Sequence, residues 1–175
     1  MHFRLYDTGF ASVIMGKILS GALVVALGTG SAFAQQQATS NSAGAELAQL
    51  YSQGLAEFQA GDFNKAATDL EALLAKAEFS PQLEPAFFSL GSAYFNGGDY
   101  KKAIGAFKNY QTKFPNGPHA ADALFGMAQS NLQTKNYAEA ASQFSSLEKE
   151  PRYRDQALFF SATASKEGGK FDQAI

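Results

Sequence analysis

Few side chains in this 175-residue chain could carry out acid–base or nucleophilic chemistry, and they stand apart. The two histidines are His2, near the N-terminus, and His119, between two loop residues. The serines have no histidine partner, and the chain lacks both the His-Glu-x-x-His metal helix and the Gly-Lys-Ser/Thr phosphate loop. We therefore expect His119 to be solvated, and we predict a protein that is not an enzyme and holds no metal ion or cofactor.

Composition favours a folded protein that does not bind nucleic acid. Apolar residues make up 46% of the chain and phenylalanine alone contributes 16, which is ample material for a core. The net charge of −2 gives no electrostatic basis for binding phosphate backbones. The sequence has no cysteine, which excludes disulfides, thiol catalysis and the lipid anchor of bacterial lipoproteins.

Residues 15–34 have the anatomy of a secretory signal peptide. A single charge at Lys17 precedes the apolar run Ile18–Leu27, and Ala32-Phe33-Ala34 is a small-x-small cleavage site. The run is shorter than the roughly 20 residues that span a bilayer. We predict a signal peptide over 1–34, cleaved after Ala34, with Met1 or Met15 as its start. The protein would then be exported to the periplasm, with secretion as the alternative. After cleavage of the signal peptide it would have no stable membrane anchor.

After this segment, residues 35–44 are polar and small and are expected to form a flexible leader. From Ala45 onward a helical period takes over, and a turn–aromatic–x-x-Ala pattern recurs. Its alanines, 37, 37 and 34 residues apart, are Ala66, Ala103, Ala140 and Ala174. Such a recurrence predicts stacked helix–turn–helix units. Small residues recur where two helices would approach closely, and these are Gly54, Gly91, Ala128 and Ala162.

These residues resemble tetratricopeptide repeats. The signature positions are best matched in the second unit, by Leu90-Gly91, Tyr94, Gly98-Asp99-Tyr100, Ala103, Phe107 and Pro115. The resemblance implies an all-α fold, a right-handed superhelical array of antiparallel helix pairs, over residues 45–175. The repeats are expected at about 47–80, 84–117, 121–151 and 155–175, the last incomplete. The joint between the second and third repeats contains Phe114-Pro115, Pro118 and residues 120–125. It is similar to the corresponding segment of exported periplasmic repeat proteins of the Tol–Pal coordinator and outer-membrane assembly types.

In this repeat family the first helix of each pair lines a concave groove. Carried over residue by residue, the resemblance predicts a peptide-binding groove formed by Tyr51, Phe58, Phe88, Ser92, Phe95, Asn96, Phe125, Gln129, Gln133 and Phe159. The aromatic members would form a ladder for an extended or helical peptide. The alternative is that these rings pack between adjacent repeats and fill the groove wall.

The predicted function is therefore that of an exported, non-catalytic scaffold. It would bind a protein or peptide segment in the groove, in cell-envelope assembly or maintenance. Two alternatives remain at this point. The chain could be the N-terminal superhelical domain of a larger envelope enzyme, such as one that cleaves peptidoglycan, with its catalytic part beyond Ile175. It could also be a self-associating array that pairs through the incomplete last repeat.

Overall fold

The computed structural model describes the backbone of residues 30–169 and the side chains of residues 44–169. This part of the chain contains seven α-helices and no β-strand. The protein is an all-α helical repeat array, as predicted. It divides into two compact units, with the boundary between Leu83 and Glu84.

The first unit is a helical hairpin. Helix α1 spans Gly30–Ala60, helix α2 spans Phe63–Lys76, and a 3₁₀ turn follows at Pro81–Leu83. The two helices pack along their lengths. The buried residues of α2 recur at helical spacing and form one apolar stripe, namely Ala66, Ala67, Leu70 and Leu73.

The structure differs from the sequence expectation at residues 35–44. Their backbone belongs to α1, which begins at Gly30, whereas a flexible leader was expected. Only half of these ten residues, the alanines and glutamines, favour the helix. The helix can continue through them because extending a helix that is already formed costs less than starting one. Residues 1–29 lie outside the described part of the chain, and the signal peptide remains a prediction.

The described part of the second unit, residues 84–169, contains five helices. In chain order they are α3 (Glu84–Asn96), α4 (Tyr100–Lys113), α5 (Ala120–Gln133), α6 (Tyr137–Ser146) and α7 (Arg154–Glu167). Each helix packs against the next, and α3 also contacts α5. The first helices of these two consecutive pairs, α3 and α5, are therefore neighbours, as a repeat array requires.

The turn inside each pair is made by a residue with positive φ. Gly98 has φ +80°. The N–H of Asp99 donates to the carbonyl of Tyr94 at 2.9 Å, and the N–H of Gly98 donates to the carbonyl of Phe95. This is the Schellman end of a helix. The equivalent turn after α5 uses Lys135, with φ +63°, in place of glycine.

Close helix contact is found at Gly91, one of the predicted small residues. A Cβ atom added to Gly91 of α3 would lie 2.5 Å from the ring of Phe107 in α4, and Phe107 is completely buried. The next pair places Ala128 in a core with Phe125, Phe144 and Leu147. At Gly91 and Ala128, a small residue thus lets the first helix approach its second helix.

Candidate functional site

A buried carboxylate stands at the start of α3. Glu84 is only 5% exposed, and the hydroxyl of Tyr110 in α4 donates to its Oε1 atom. The Nδ1 atom of His119 lies 2.9 Å from Oε1 and 3.1 Å from Oε2. An ionised carboxylate only accepts hydrogen bonds, so Nδ1 carries the proton. Burial acts to raise the pKa of Glu84, but the hydrogen bonds from His119 and Tyr110 outweigh it and the pKa lies below 4.5.

The same histidine covers an aromatic ring of α3. The imidazole of His119 stacks on Phe88, with ring centroids 4.5 Å apart and planes at 11°. Phe88 is consequently 4% exposed, while the side chain of His119 is 26% exposed. The expectation of a solvated His119 is therefore wrong, because this loop residue packs on one side and bonds to Glu84 at its edge.

The next repeat contains a second version of this arrangement. Asp122, in the first turn of α5, accepts hydrogen bonds at Oδ1 from the hydroxyl of Tyr153 and from the guanidinium of Arg152. The ring of Tyr153 stacks on Phe125, with centroids 4.6 Å apart and planes at 21°. Burial and the hydrogen bond to Asp122 raise the pKa of Tyr153, so its hydroxyl stays protonated as a donor.

We call each arrangement a ring clamp. It consists of a carboxylate near the start of a first helix, an aromatic residue three or four positions later, the ring residue immediately before the next first helix, and a second side chain that donates to the carboxylate. The first ring clamp is Glu84, Phe88, Tyr110 and His119, and the second is Asp122, Phe125, Arg152 and Tyr153. Each clamp fastens one repeat to the joint that begins the next.

The structure divides the predicted groove residues into buried and accessible ones. In the first unit, Tyr51 and Phe58 are buried. In the second unit the buried ones are Phe88, Ser92, Phe125 and Gln129. Phe95 and Asn96, at the end of α3, are partly exposed, and Gln133, at the end of α5, and Phe159, on α7, are exposed. For Phe88 and Phe125 this burial favours the packing alternative, because the ring clamps cover both rings.

Sequence reasoning also missed a polar network inside the third helix pair. Asn131, 37 residues after Tyr94, occupies the equivalent place on α5 and is buried. Its side-chain amide donates to Gln143 Oε1 at 3.0 Å, and Gln143 in turn donates to Glu139. Asn136 donates to Asn131 Oδ1 from the turn. The network satisfies a position that holds an aromatic ring in the preceding repeat.

One cavity of about 270 Å³ lies between α6 and α7. Its lining is rich in serine, and Ser145 and Ser161 share a hydrogen bond there at 2.9 Å. The described residues include no group of three or more histidine, aspartate or glutamate side chains arranged to hold a metal ion. Within residues 30–169, no helix has the length and hydrophobicity to cross a membrane.

The paired helices, their Schellman turns and the small contact residues define a tetratricopeptide-repeat protein. Residues 122–151 match the tetratricopeptide repeat family, which confirms this class. Residues 44–125 match the YfiO family, described as outer membrane lipoprotein. Together the two matches support the predicted resemblance to tetratricopeptide-repeat proteins of the outer-membrane assembly type. A comparison with curated proteins gives no match.

Proposed function

We propose that this protein is an exported, non-catalytic scaffold that binds a protein or peptide segment along its first helices, in the assembly or maintenance of the cell envelope. The family resemblance supports the class of function, because both matched families are typically scaffolds. The signal-peptide pattern of residues 15–34 supports export to the periplasm, with cleavage after Ala34.

The observation that carries the proposal is the pair of accessible helix ends on α3 and α5. These first helices contact each other, and each presents an accessible side-chain amide near its last turn, Asn96 and Gln133. Asn96 Nδ2 donates to the carbonyl of Ser92, which leaves its amide oxygen as an acceptor. The side chain of Gln133 makes no hydrogen bond within the part of the chain that the structure describes. Two amides on neighbouring helices can pair with the backbone of a bound segment.

Aromatic contact in this surface would come from the partly exposed Phe95. Its ring meets Tyr100 at 5.6 Å in an edge-on arrangement, which fixes the ring beside Asn96. The rings of His119 and Tyr153 separate Phe88 and Phe125 from any ligand. Ser92 and Gln129 are buried as well. We therefore propose a binding surface of Phe95, Asn96 and Gln133 rather than a continuous aromatic ladder.

The test is co-purification from periplasmic extract with the wild-type protein and a Phe95→Ala/Gln133→Ala variant. A matched control, Lys101→Ala/Asn109→Ala, changes two exposed residues of the second helix α4. Circular dichroism would establish that both variants keep their helices. A partner bound by wild type and control, and lost by the surface variant, supports the proposal. Equal capture by all three proteins would contradict it. A Phe88→Ser/Phe125→Ser variant would serve poorly, since it disrupts two buried rings.

A further inference from the structure

A histidine holds the joint between the second and third helix pairs. His119 is the last residue before α5, its Nδ1 atom lies 2.9 Å from Glu84 Oε1, and its ring stacks on Phe88. Its backbone N–H donates to the hydroxyl of Tyr110 at 3.1 Å. Its carbonyl accepts the N–H of Ala123 at 2.8 Å, which closes the first turn of α5. His119 therefore connects the first turn of α5 to both α3 and α4.

Both side-chain contacts of His119 become stronger when the imidazole takes up a second proton. The hydrogen bond to Glu84 then joins two opposite charges, and this carboxylate is only 5% exposed, so little water screens the attraction. The stacked ring of Phe88 adds a cation–π attraction to the imidazolium. Because the side chain of His119 is 26% exposed, the cation keeps part of its hydration and the cost of burying it is limited.

The groups that face His119 from the neighbouring helices keep their charge near neutral pH. Although burial opposes it, hydrogen bonds from His119 and Tyr110 hold the pKa of Glu84 below 4.5. Burial and the hydrogen bond to Glu84 raise the pKa of Tyr110, so its hydroxyl stays protonated. Asp122 of α5 acts on the same hydroxyl and is itself bound by the guanidinium of Arg152. The charge at this joint therefore changes through His119, since the ordinary pKa of histidine is about 6.5.

The equivalent joint of the next repeat is held by groups that do not titrate near neutral pH. There Tyr153 and Arg152 donate to Asp122. Arginine stays protonated, and burial raises the pKa of Tyr153, so neither donor changes its charge. The carbonyl of Tyr153 accepts the N–H of Ala157 at 2.7 Å, as the carbonyl of His119 does for its own helix. The chain thus contains an internal comparison for the first joint.

We propose that His119 is a pH-dependent latch for α5: its protonated ring fastens the first turn of α5 to α3 and α4, and loss of the proton loosens that turn. Because the closed latch favours the protonated form, its extra stability is fully present below about pH 6.5. This stability is lost as the pH rises through the pKa of the latched histidine. The latch goes beyond the proposed scaffold function and does not depend on which segment the scaffold binds.

Hydrogen exchange of single backbone amides, followed by NMR on the full chain, tests the latch. Protection factors, which already correct for the intrinsic effect of pH on exchange, would be compared at pH 6 and pH 8. We expect the protection of the Ala123 N–H to fall about fivefold at pH 8 and that of the Ala157 N–H to stay constant. Constant protection at Ala123, or equal losses at both amides, would overturn the proposal.

Two variants separate the proton from the packing of the ring. His119→Phe keeps a ring on Phe88 but has no proton to lose, so the protection of Ala123 should no longer depend on pH. Asn116→Ala, an exposed change in the same loop, is the matched control and should respond to pH as the wild type does. A pH response that persists in His119→Phe would assign the effect to another group and refute the latch.

The ring protons of His119 provide an independent readout, because the sequence has only one other histidine, His2. We expect the NMR titration midpoint of His119 to lie above about pH 6.5 and to fall in Glu84→Gln, with circular dichroism to establish that this variant keeps its helices. A wild-type midpoint below that value would show that the joint favours the neutral ring, which contradicts the proposal.

Discussion

The imidazole of His119 lies parallel to the ring of Phe88, with centroids 4.5 Å apart, while its Nδ1–H bonds to Glu84. One loop residue thus shields an aromatic ring from water and supplies a donor to a buried carboxylate. Both contacts connect the joint before α5 to the start of α3.

We expect His119→Ala to lower the free energy of unfolding by about 1–3 kcal/mol, because it leaves the buried carboxylate short of a donor and uncovers Phe88. His119→Phe should recover only the part of this free energy that comes from stacking on Phe88. Urea denaturation followed by circular dichroism measures both. Asn116→Ala, an exposed change in the same loop, is the control. If His119→Ala were as stable as the control, the clamp would contribute nothing to the fold.

The lowered pKa of Glu84 predicts a pH dependence of stability. Its folded pKa lies below its ordinary value of 4.5, so its ionised form stabilises the protein above that value. This contribution is lost as the pH falls from about 4.5 through the folded pKa. Urea midpoints measured between about pH 6 and pH 3 should therefore decline more steeply in the wild type than in Glu84→Gln. Parallel profiles would show that Glu84 has the same pKa in the folded and unfolded states.

Replacing two glycines in adjacent helices by alanine should change the stability of the protein in opposite directions. Gly91→Ala forces a methyl group into the buried ring of Phe107 and should cost about 1–3 kcal/mol. Gly105→Ala, in the exposed middle of α4 with open space around it, should stabilise by up to about 1 kcal/mol through helix propensity. Thermal unfolding of both variants measures the contrast. A neutral Gly91→Ala would contradict the close approach of α3 and α4.

Replacing Lys135 by glycine should stabilise the protein. It adopts φ +63°, a left-handed conformation that costs a side-chain-bearing residue roughly 1 kcal/mol relative to glycine. Lys135→Gly is therefore expected to raise the free energy of unfolding by about that amount, as measured by urea denaturation. Gly98→Lys, the reverse change in the equivalent turn, should lower it. Opposite signs in the two variants support the shared turn geometry, and equal signs would refute it.

Local spacing was sufficient to predict the helix pairs, the turns and the small residue at Gly91, because each depends on residues a few positions apart. The ring clamps could not be found this way. His119 meets a carboxylate 35 residues earlier, and in sequence it is a lone histidine between loop residues. The helical period places Phe88 and Phe125 on the same face of their helices, but it does not show which residues cover that face. That depends on the joint of the following repeat, so the groove prediction included rings that are buried.

The ring clamps also set where the chain can be divided. His119 precedes α5 in sequence but packs with α3 and α4. Tyr153 likewise precedes α7 but packs with α5, through Phe125 and Asp122. A transplanted or duplicated helix pair that ended at Lys113 would lack His119, so Glu84 would lose one of its two side-chain donors and the ring of Phe88 would be uncovered. The exchangeable module therefore runs from Glu84 through His119. A graft that ends after His119 should remain monomeric, whereas a graft that ends at Lys113 should aggregate, because its aromatic ring is exposed.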